Sequence, residues 1–204
     1  MNKLILLGAV LFYSSTALAN TVEEREPMTI IEDTTAHLFS TVNENRAAFA
    51  EDPQQLHQVV NDDLMPLMDL EYSARLILGR SGRGVEPEQL EAFADAMSSV
   101  LINRYADGLL NFRSDEQVEV LPMKGKNTEK LTRVRTRIKL ENGGYAPVDY
   151  AFRKTDAGWK AFDVTVEGIS YVMTFRNQIA PRVQADGIEQ VTEEIRAGNI
   201  RVNE

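Results

Sequence analysis

The sequence predicts an α+β fold, with helices packed on one face of a twisted four-stranded antiparallel sheet. Three observations carry this reading. Segments of helical period fill the first half of the chain, strand-period segments follow, and helices return at the end. Leu131–Leu140 alternates strictly, with Val134, Thr136, Ile138 and Leu140 on one face and Arg133, Arg135, Arg137 and Lys139 on the other. From Pro87 to about Phe112, the residues Leu90, Phe93, Met97, Leu101, Tyr105 and Leu109 recur every three or four positions.

The first helix spans Pro27 to Phe49, where Ile31, Leu38, Val42 and Phe49 share a face. Pro53 opens a short second helix bearing Leu56, Val59, Val60 and Leu64, and Pro66 interrupts it. Asp69–Leu78 is a third, with Leu70, Ala74, Ile77 and Leu78 on one side. Gly79-Arg80-Ser81-Gly82-Arg83-Gly84 breaks the chain and reads as a flexible surface loop before the long helix. The strands are Gln117–Met123, Leu131–Leu140, one placing Val148, Tyr150 and Phe152 on a common face, and one placing Phe162, Val164 and Val166 inward. Glu141-Asn142-Gly143-Gly144 and Thr155-Asp156-Ala157-Gly158 are the hairpin turns. After Gly168 a helix begins with Ile169, Val172, Phe175, Ile179 and Val183, and a last helix runs from Ile188 to Arg196.

The composition is globular: 204 residues, 43% apolar and 26% charged. The absence of cysteine excludes disulfides, thiolate catalysis and Cys-based metal centres. Residues 1–19 have a basic start at Lys3, an apolar run from Leu4 to Tyr13, and the small-x-small pattern Ala17-Leu18-Ala19. This is the pattern of a secretory signal peptide, which leaves residues 20–204 as one soluble domain. No Cys follows the cleavage pattern, so a lipoprotein anchor is excluded. Secretion without disulfides fits the periplasm.

Catalytic patterns fail in turn. Gly168-Ile169-Ser170 stands where a strand becomes a helix, but Val172 occupies the place of the second Gly of a nucleophile elbow, and both histidines precede it. Ser170 therefore reads as a helix cap. His37 and His57 lack metalloprotease spacing, and no metal site is expected. Asp149 and Asp163 have the parity opposite to the apolar strand face, so no strand carboxylate points inward. Asp69 and Asp95 on helices keep open an alternative, a small-molecule enzyme of isomerase or hydrolase type on a related curved-sheet scaffold.

Between Lys124 and Lys139 the basic residues Lys124, Lys126, Lys130, Arg133, Arg135, Arg137 and Lys139 face a single acid, Glu129, in a chain of net charge −9. The strand is either a solvated edge face or a docking surface for an acidic partner or anionic headgroups, with Arg133, Arg135 and Arg137 as the contacts. No aromatics interleave there, and the overall charge is acidic, so nucleic acid is not an expected partner.

Several segments together resemble the MlaC family of periplasmic phospholipid-binding, or toluene-tolerance auxiliary, proteins. One is Leu78-Gly79 followed by Pro87-Glu88-Gln89-Leu90-Glu91-Ala92-Phe93, with Tyr105 further on. The more specific is Gly158-Trp159-Lys160-Ala161-Phe162-Asp163-Val164-Thr165-Val166-Glu167-Gly168-Ile169-Ser170-Tyr171-Val172, continuing into Phe175-Arg176-Asn177-Gln178. The family often carries a Trp just after its Leu-Gly, where this chain has Arg80-Ser81-Gly82-Arg83-Gly84.

The resemblance implies helices and sheet enclosing a deep apolar cavity that takes the acyl chains of a two-chain phospholipid. The ligand is then a phospholipid, with no cofactor, no metal and no catalysis. The implied partners are an outer-membrane lipoprotein–porin complex and an inner-membrane ABC transporter with an MCE-domain subunit, in a system that maintains outer-membrane lipid asymmetry. The chain is expected to act as a monomer. A two-chain phospholipid carries about thirty methylenes, and at ~0.8 kcal/mol each its exposure costs on the order of 20 kcal/mol or more. Crossing water therefore requires shelter. The expected lipid contacts are Leu70, Ala74, Phe93, Met97, Leu101 and Tyr105 from helices, Val134, Thr136, Val148, Tyr150, Val164 and Val166 from strands, and Ile169 and Val172 from the strand-to-helix junction. Periodicity alone does not separate a lined cavity from a filled core.

Overall fold

The computed structural model describes residues 25–111, 118–122, 127–140 and 143–200. Six α-helices are present among them, and proline starts three. Helix α1 (Pro27–Glu51) and α2 (Pro53–Leu64) meet at Asp52, whose carboxylate accepts the Gln54 N–H at 3.1 Å. Pro66 converts the end of α2 into a 3-10 turn, Met65–Leu67. Asp69 caps α3 (Leu70–Leu78) by accepting the Tyr72 N–H at 3.1 Å. At α4 (Pro87–Tyr105) the Gln89 side chain accepts the Glu86 N–H at 3.1 Å. The expected long helix is shorter than its apolar stripe: it tightens into a 3-10 segment, Ala106–Asn111, and Phe112 lies outside the described residues. Helices α5 (Tyr171–Asp186) and α6 (Ile188–Arg196) are separated by Gly187 at φ 84.

Among the described residues the sheet has five antiparallel strands in chain order, β1 (Val118–Leu121), β2 (Leu131–Lys139), β3 (Tyr145–Thr155), β4 (Gly158–Val166) and β5 (Ile169–Ser170). Cross-strand rows follow from the register. One runs Val120, Thr136, Val148, Val166, Ile169; the next runs Val134, Tyr150, Val164; the third pairs Thr132, Phe152 and Ala161. These rows form the inner face. Arg133, Arg135, Arg137 and Asp149 occupy the outer face, as alternation predicts.

Three expectations are corrected. First, the register shifts between Ala151 and Phe152, so that Ala151 opposes Asp163 while Phe152 opposes Ala161, and Phe162 is the extra residue of a bulge. Phe162 therefore leaves the inner row, which Ala161 and the buried Trp159 complete. Its ring meets Tyr72 edge-on at 5.1 Å. Second, Ile169 does not begin a helix. Glu167 (φ 50) and Gly168 (φ 87) form a tight turn that folds Ile169 back beside Val166 as a fifth strand, and α5 starts at Tyr171. Third, Gly79–Gly84 is not a loose loop. Gly79–Gly82 is a 3-10 turn whose Ser81 hydroxyl donates to the Ala180 carbonyl of α5 at 2.9 Å.

Among the described residues the buried apolar side chains form three clusters. Helices α3, α4, α5 and α6 share one around Leu78, Phe93, Ile179 and Val191. A second joins α1, α2 and the end of α4 around Val42 and Leu56. The third packs Ile30 of α1 on Val134, Phe152, Trp159 and Ala161 of the sheet. Burying each Val, Leu, Ile, Phe or Met among them contributes about 1.5–3 kcal/mol. A polar joint ties helix layer to sheet: Asp69 holds Arg153 at 3.2 Å, the Arg153 guanidinium lies 4.4 Å from the Tyr72 ring, and the Ser73 hydroxyl donates to the Phe162 carbonyl at 2.7 Å.

Candidate functional site

The inner face of the sheet is apolar but unevenly covered. Val134 and Phe152 are fully packed against α1, and Thr136 and Val148 are buried. Tyr150, Val164 and Val166, in the same rows, are only half-buried, as are Val120 and Ile138. Tyr150 has strand neighbours on both sides, Val134 and Val164, so its accessible surface opens onto the space in front of the sheet and not past an edge. Burial pushes the Tyr150 hydroxyl above the ordinary tyrosine pKa, partly offset by its hydrogen bond with Thr136. The Thr136 hydroxyl in turn donates to the Val148 carbonyl at 2.8 Å, so the polar atoms of this face satisfy one another. None of the three clusters, as formed by the described residues, takes in Thr136, Val148, Val164 or Val166.

The helical residues expected beside this face are distributed differently. Ala74, Phe93, Met97 and Val172 lie inside the helical cluster, with Leu70 and Leu101 packed against it. Tyr105 is half-buried at the end of α4, and its ring meets Tyr171 edge-on at 5.6 Å; Tyr171 continues to Phe175 at 5.7 Å. Ile169 shares the inner face with Val166 by pairing, yet is 56% exposed because β5 is the outermost strand. Val120, Ile138 and Tyr171 complete these surfaces and go beyond the contacts expected from sequence. For Val120 and Ile138 the signal is the alternation itself; for Tyr171 nothing local marks it.

The carboxylates weighed for catalysis are engaged elsewhere. Asp69 caps α3 and pairs with Arg153, and Asp95 is exposed. Asp163 accepts the Ser170 hydroxyl at 2.6 Å and the Val172 N–H at 3.1 Å. Ser170 accepts the Met173 N–H at 3.1 Å, which is the helix-capping role expected of it. His57 pairs with Asp107 at 2.9 Å and His37 with Asp63 at 3.4 Å, on opposite ends of α2. Among the described residues no group of acids and histidines has the arrangement of a metal site. A cleft of about 230 Å³ lies between α1 and α2, lined by Arg25, Asp33, Thr34, His37, Asp63 and Leu67; its charged lining does not suit acyl chains.

The outer face is less basic than the strand alone. Arg133 and Arg135 flank Asp149 at 3.6 and 4.0 Å, and Arg137 holds Glu119 at 2.6 Å while stacking on Tyr145 at 4.2 Å. The arginines face outward, but acids from β1 and β3 offset part of their charge. Lys124 and Lys126 lie outside the described residues.

Comparison with known proteins gives this geometry a context. The intermembrane phospholipid transport system binding protein MlaC of Haemophilus influenzae is 26% identical over 153 residues, 73% of this chain and 71% of that protein. The toluene tolerance protein ttg2D of Pseudomonas putida is 26% identical over 168 residues, 82% of this chain and 77% of its own. The structure of a phospholipid-binding protein from Ralstonia solanacearum, in complex with a phospholipid, superposes with a TM-score of 0.75 at 23% identity, covering 85% of this chain and 98% of that one. The two share the fold. The family model described as MlaC protein matches residues 32–197, from within α1 to the end of α6, and the chain belongs to the MlaC family.

Proposed function

We propose that this protein is a soluble periplasmic carrier that shelters the acyl chains of a phospholipid and moves it between an outer-membrane lipoprotein–porin complex and an inner-membrane ABC transporter with an MCE-domain subunit, without catalytic activity. Such traffic would maintain outer-membrane lipid asymmetry. One observation carries the reading: on the apolar inner face of the sheet Val164 and Val166 stay only half-buried and join none of the packed clusters, beside Tyr150, which leans on the α1–sheet cluster and is itself only half-buried. Apolar surface held open in the middle of a fold favours an apolar occupant. Membership in the MlaC family and the phospholipid held by the Ralstonia protein of the same fold support the same occupant.

On this reading Val134, Thr136, Val148, Tyr150, Val164 and Val166 form the sheet wall. Leu70, Ala74, Phe93, Met97, Leu101, Tyr105 and Val172 belong to the facing helices, and Ile169 stands at the rim. The signal peptide of residues 1–19 delivers one domain, 20–204, to the periplasm. Native mass spectrometry of the protein purified without detergent tests the proposal. The expected result is a bound species with the mass of a two-chain phospholipid; a bare chain, with no lipid recovered on extraction, would overturn it.

A further inference from the structure

We propose that Arg80, Arg83 and Arg176, with the exposed side chain of Met173 one turn before Arg176, form a surface that docks the protein on an anionic bilayer. The turn that carries Arg80 and leads to Arg83 is fixed against the helix that carries Arg176. Ser81 ties the 3-10 turn to the Ala180 carbonyl of α5. Gly79, at φ +54, leaves room for the Arg176 guanidinium to lie across that turn; a Cβ there would come within 2.9 Å of the Arg176 Nη2. Met173 stands one turn before Arg176 on the exposed side of α5 and is 49% exposed.

Charge pairing separates these arginines from the rest. Every other described arginine is held by a carboxylate, a carbonyl or an aromatic ring, as Arg75 is by Glu71 and Arg182 by Glu194. Arg80, Arg83 and Arg176 are exposed and have no such partner among the described residues. The chain has no Asp or Glu from Gly79 to Val85 or from Tyr171 to Ala185, in a protein of net charge −9. Repulsion of the acidic remainder therefore turns this surface toward an anionic plane. Unpaired guanidinium groups beside an exposed apolar side chain, Met173, match a bilayer boundary, which offers phosphates and an apolar layer together. Each basic residue at such a surface contributes about fivefold in partitioning, so three give on the order of a hundredfold, screened by salt.

Flotation of the purified protein with vesicles tests this. At low salt the protein is expected to float with vesicles of phosphatidylcholine containing one-third phosphatidylglycerol, not with phosphatidylcholine alone, and to be released as salt rises. Arg80→Gln/Arg83→Gln/Arg176→Gln should lose binding by on the order of a hundredfold. Arg25→Gln/Arg75→Gln/Arg196→Gln, which removes equal charge elsewhere, should keep it, and Met173→Ser should weaken it. Thermal unfolding and native mass spectrometry of each variant verify fold and lipid load, so a failure of the carrier reading shows as absent lipid in the wild type, separately from flotation. If the wild type does not float with the anionic vesicles, the bilayer is the wrong occupant and the patch fits an acidic protein surface instead. Equal loss in both triple variants would likewise overturn the assignment.

Discussion

The carboxylate of Asp163 accepts the hydroxyl proton of Ser170 at 2.6 Å, and its second oxygen takes the Val172 N–H at 3.1 Å, so one side chain of β4 holds the first turn of α5. The pair spans the tight turn at Glu167-Gly168 and orients the helix relative to the sheet. It also gives both residues a structural role at the position where a nucleophile elbow would stand.

Removing the hydroxyl, in Ser170→Ala, should cost about 1 kcal/mol of stability. Asp163→Ala should cost about 2 kcal/mol, because it strips the Ser170 hydroxyl and the Val172 amide of their acceptor together. Urea denaturation measures both, and lipid content of the folded Ser170→Ala protein should stay at the wild-type level. Labelling of Ser170 by a serine-directed phosphonate would show a reactive nucleophile and contradict the capping role.

Val164 pairs with Tyr150 in the half-covered part of the inner face. If Val164 lines the lipid site, Val164→Glu would set a carboxyl group against acyl chains; burial would force it to protonate, and even the neutral acid, unbonded, would cost about 2–7 kcal/mol. The expected outcome is a folded protein that purifies with little phospholipid, read by native mass spectrometry. A full lipid load would remove Val164 from the wall.

Gly168 adopts φ 87, and a Cβ at this position would meet nothing within 4 Å, so its requirement is backbone freedom and not close packing. Gly168→Val should destabilise by about 2 kcal/mol or more, and Gly168→Asn by less than half of that, since Asn tolerates the left-handed region. Equal melting shifts for the two variants would place the cost elsewhere.

Charge reversal of Arg133, Arg135 and Arg137 removes cations and also leaves Asp149 and Glu119 unpaired on the outer face. If this face docks an acidic surface of a membrane complex, association should slow at low salt and lose its salt dependence while lipid load persists. Unchanged association kinetics would reduce the strand to a solvated face.

Tyr150 carries a pKa above its ordinary value of 10.0, raised chiefly by burial. A raised folded-state pKa means that its neutral form contributes stability fully below the unfolded-state value, and that this contribution is lost as pH rises through the folded-state value. Stability should therefore fall more steeply above pH ~10 in the wild type than in Tyr150→Phe. Chemical denaturation across the alkaline range makes the comparison; parallel curves would show that Tyr150 does not titrate with folding.

The legible parts of this fold are those set by local period. Alternation in 131–139 and 145–155 places Val134, Thr136, Val148, Tyr150 and Phe152 on one face, and the pairing register agrees. The bulge at Phe162 is hidden from sequence because long-range partners sustain it: the Tyr72 ring and the Ser73 hydroxyl, both on α3. The fifth strand is equally hidden, because two residues have no period. For the site, periodicity identifies apolar faces but not their partners. Phe93 of α4 and Ala74 of α3 are buried in one cluster with residues of α5 and α6, while Val164 and Val166 are left partly exposed. Pairing, too, is invisible in sequence: Arg133 and Arg135 meet Asp149 only once β3 lies beside β2.

The extra residue in β4 has a consequence for how this strand tolerates changes of length. Deleting Phe162 would leave Ala161 opposite Phe152 and Asp163 opposite Ala151, so every remaining side chain keeps its side of the sheet. The same deletion at Thr165 would turn either Val164 or Val166 to solvent. Position 162 is thus a place where the chain can shorten by one and stay in phase. What it forfeits there is curvature, because a bulge bends and twists its strand, together with the contacts that Phe162 makes to the Tyr72 ring and the Ser73 hydroxyl. The curvature of the inner sheet face, the proposed wall for the lipid, can therefore be altered by a single codon without rewriting any of the residues assigned to it.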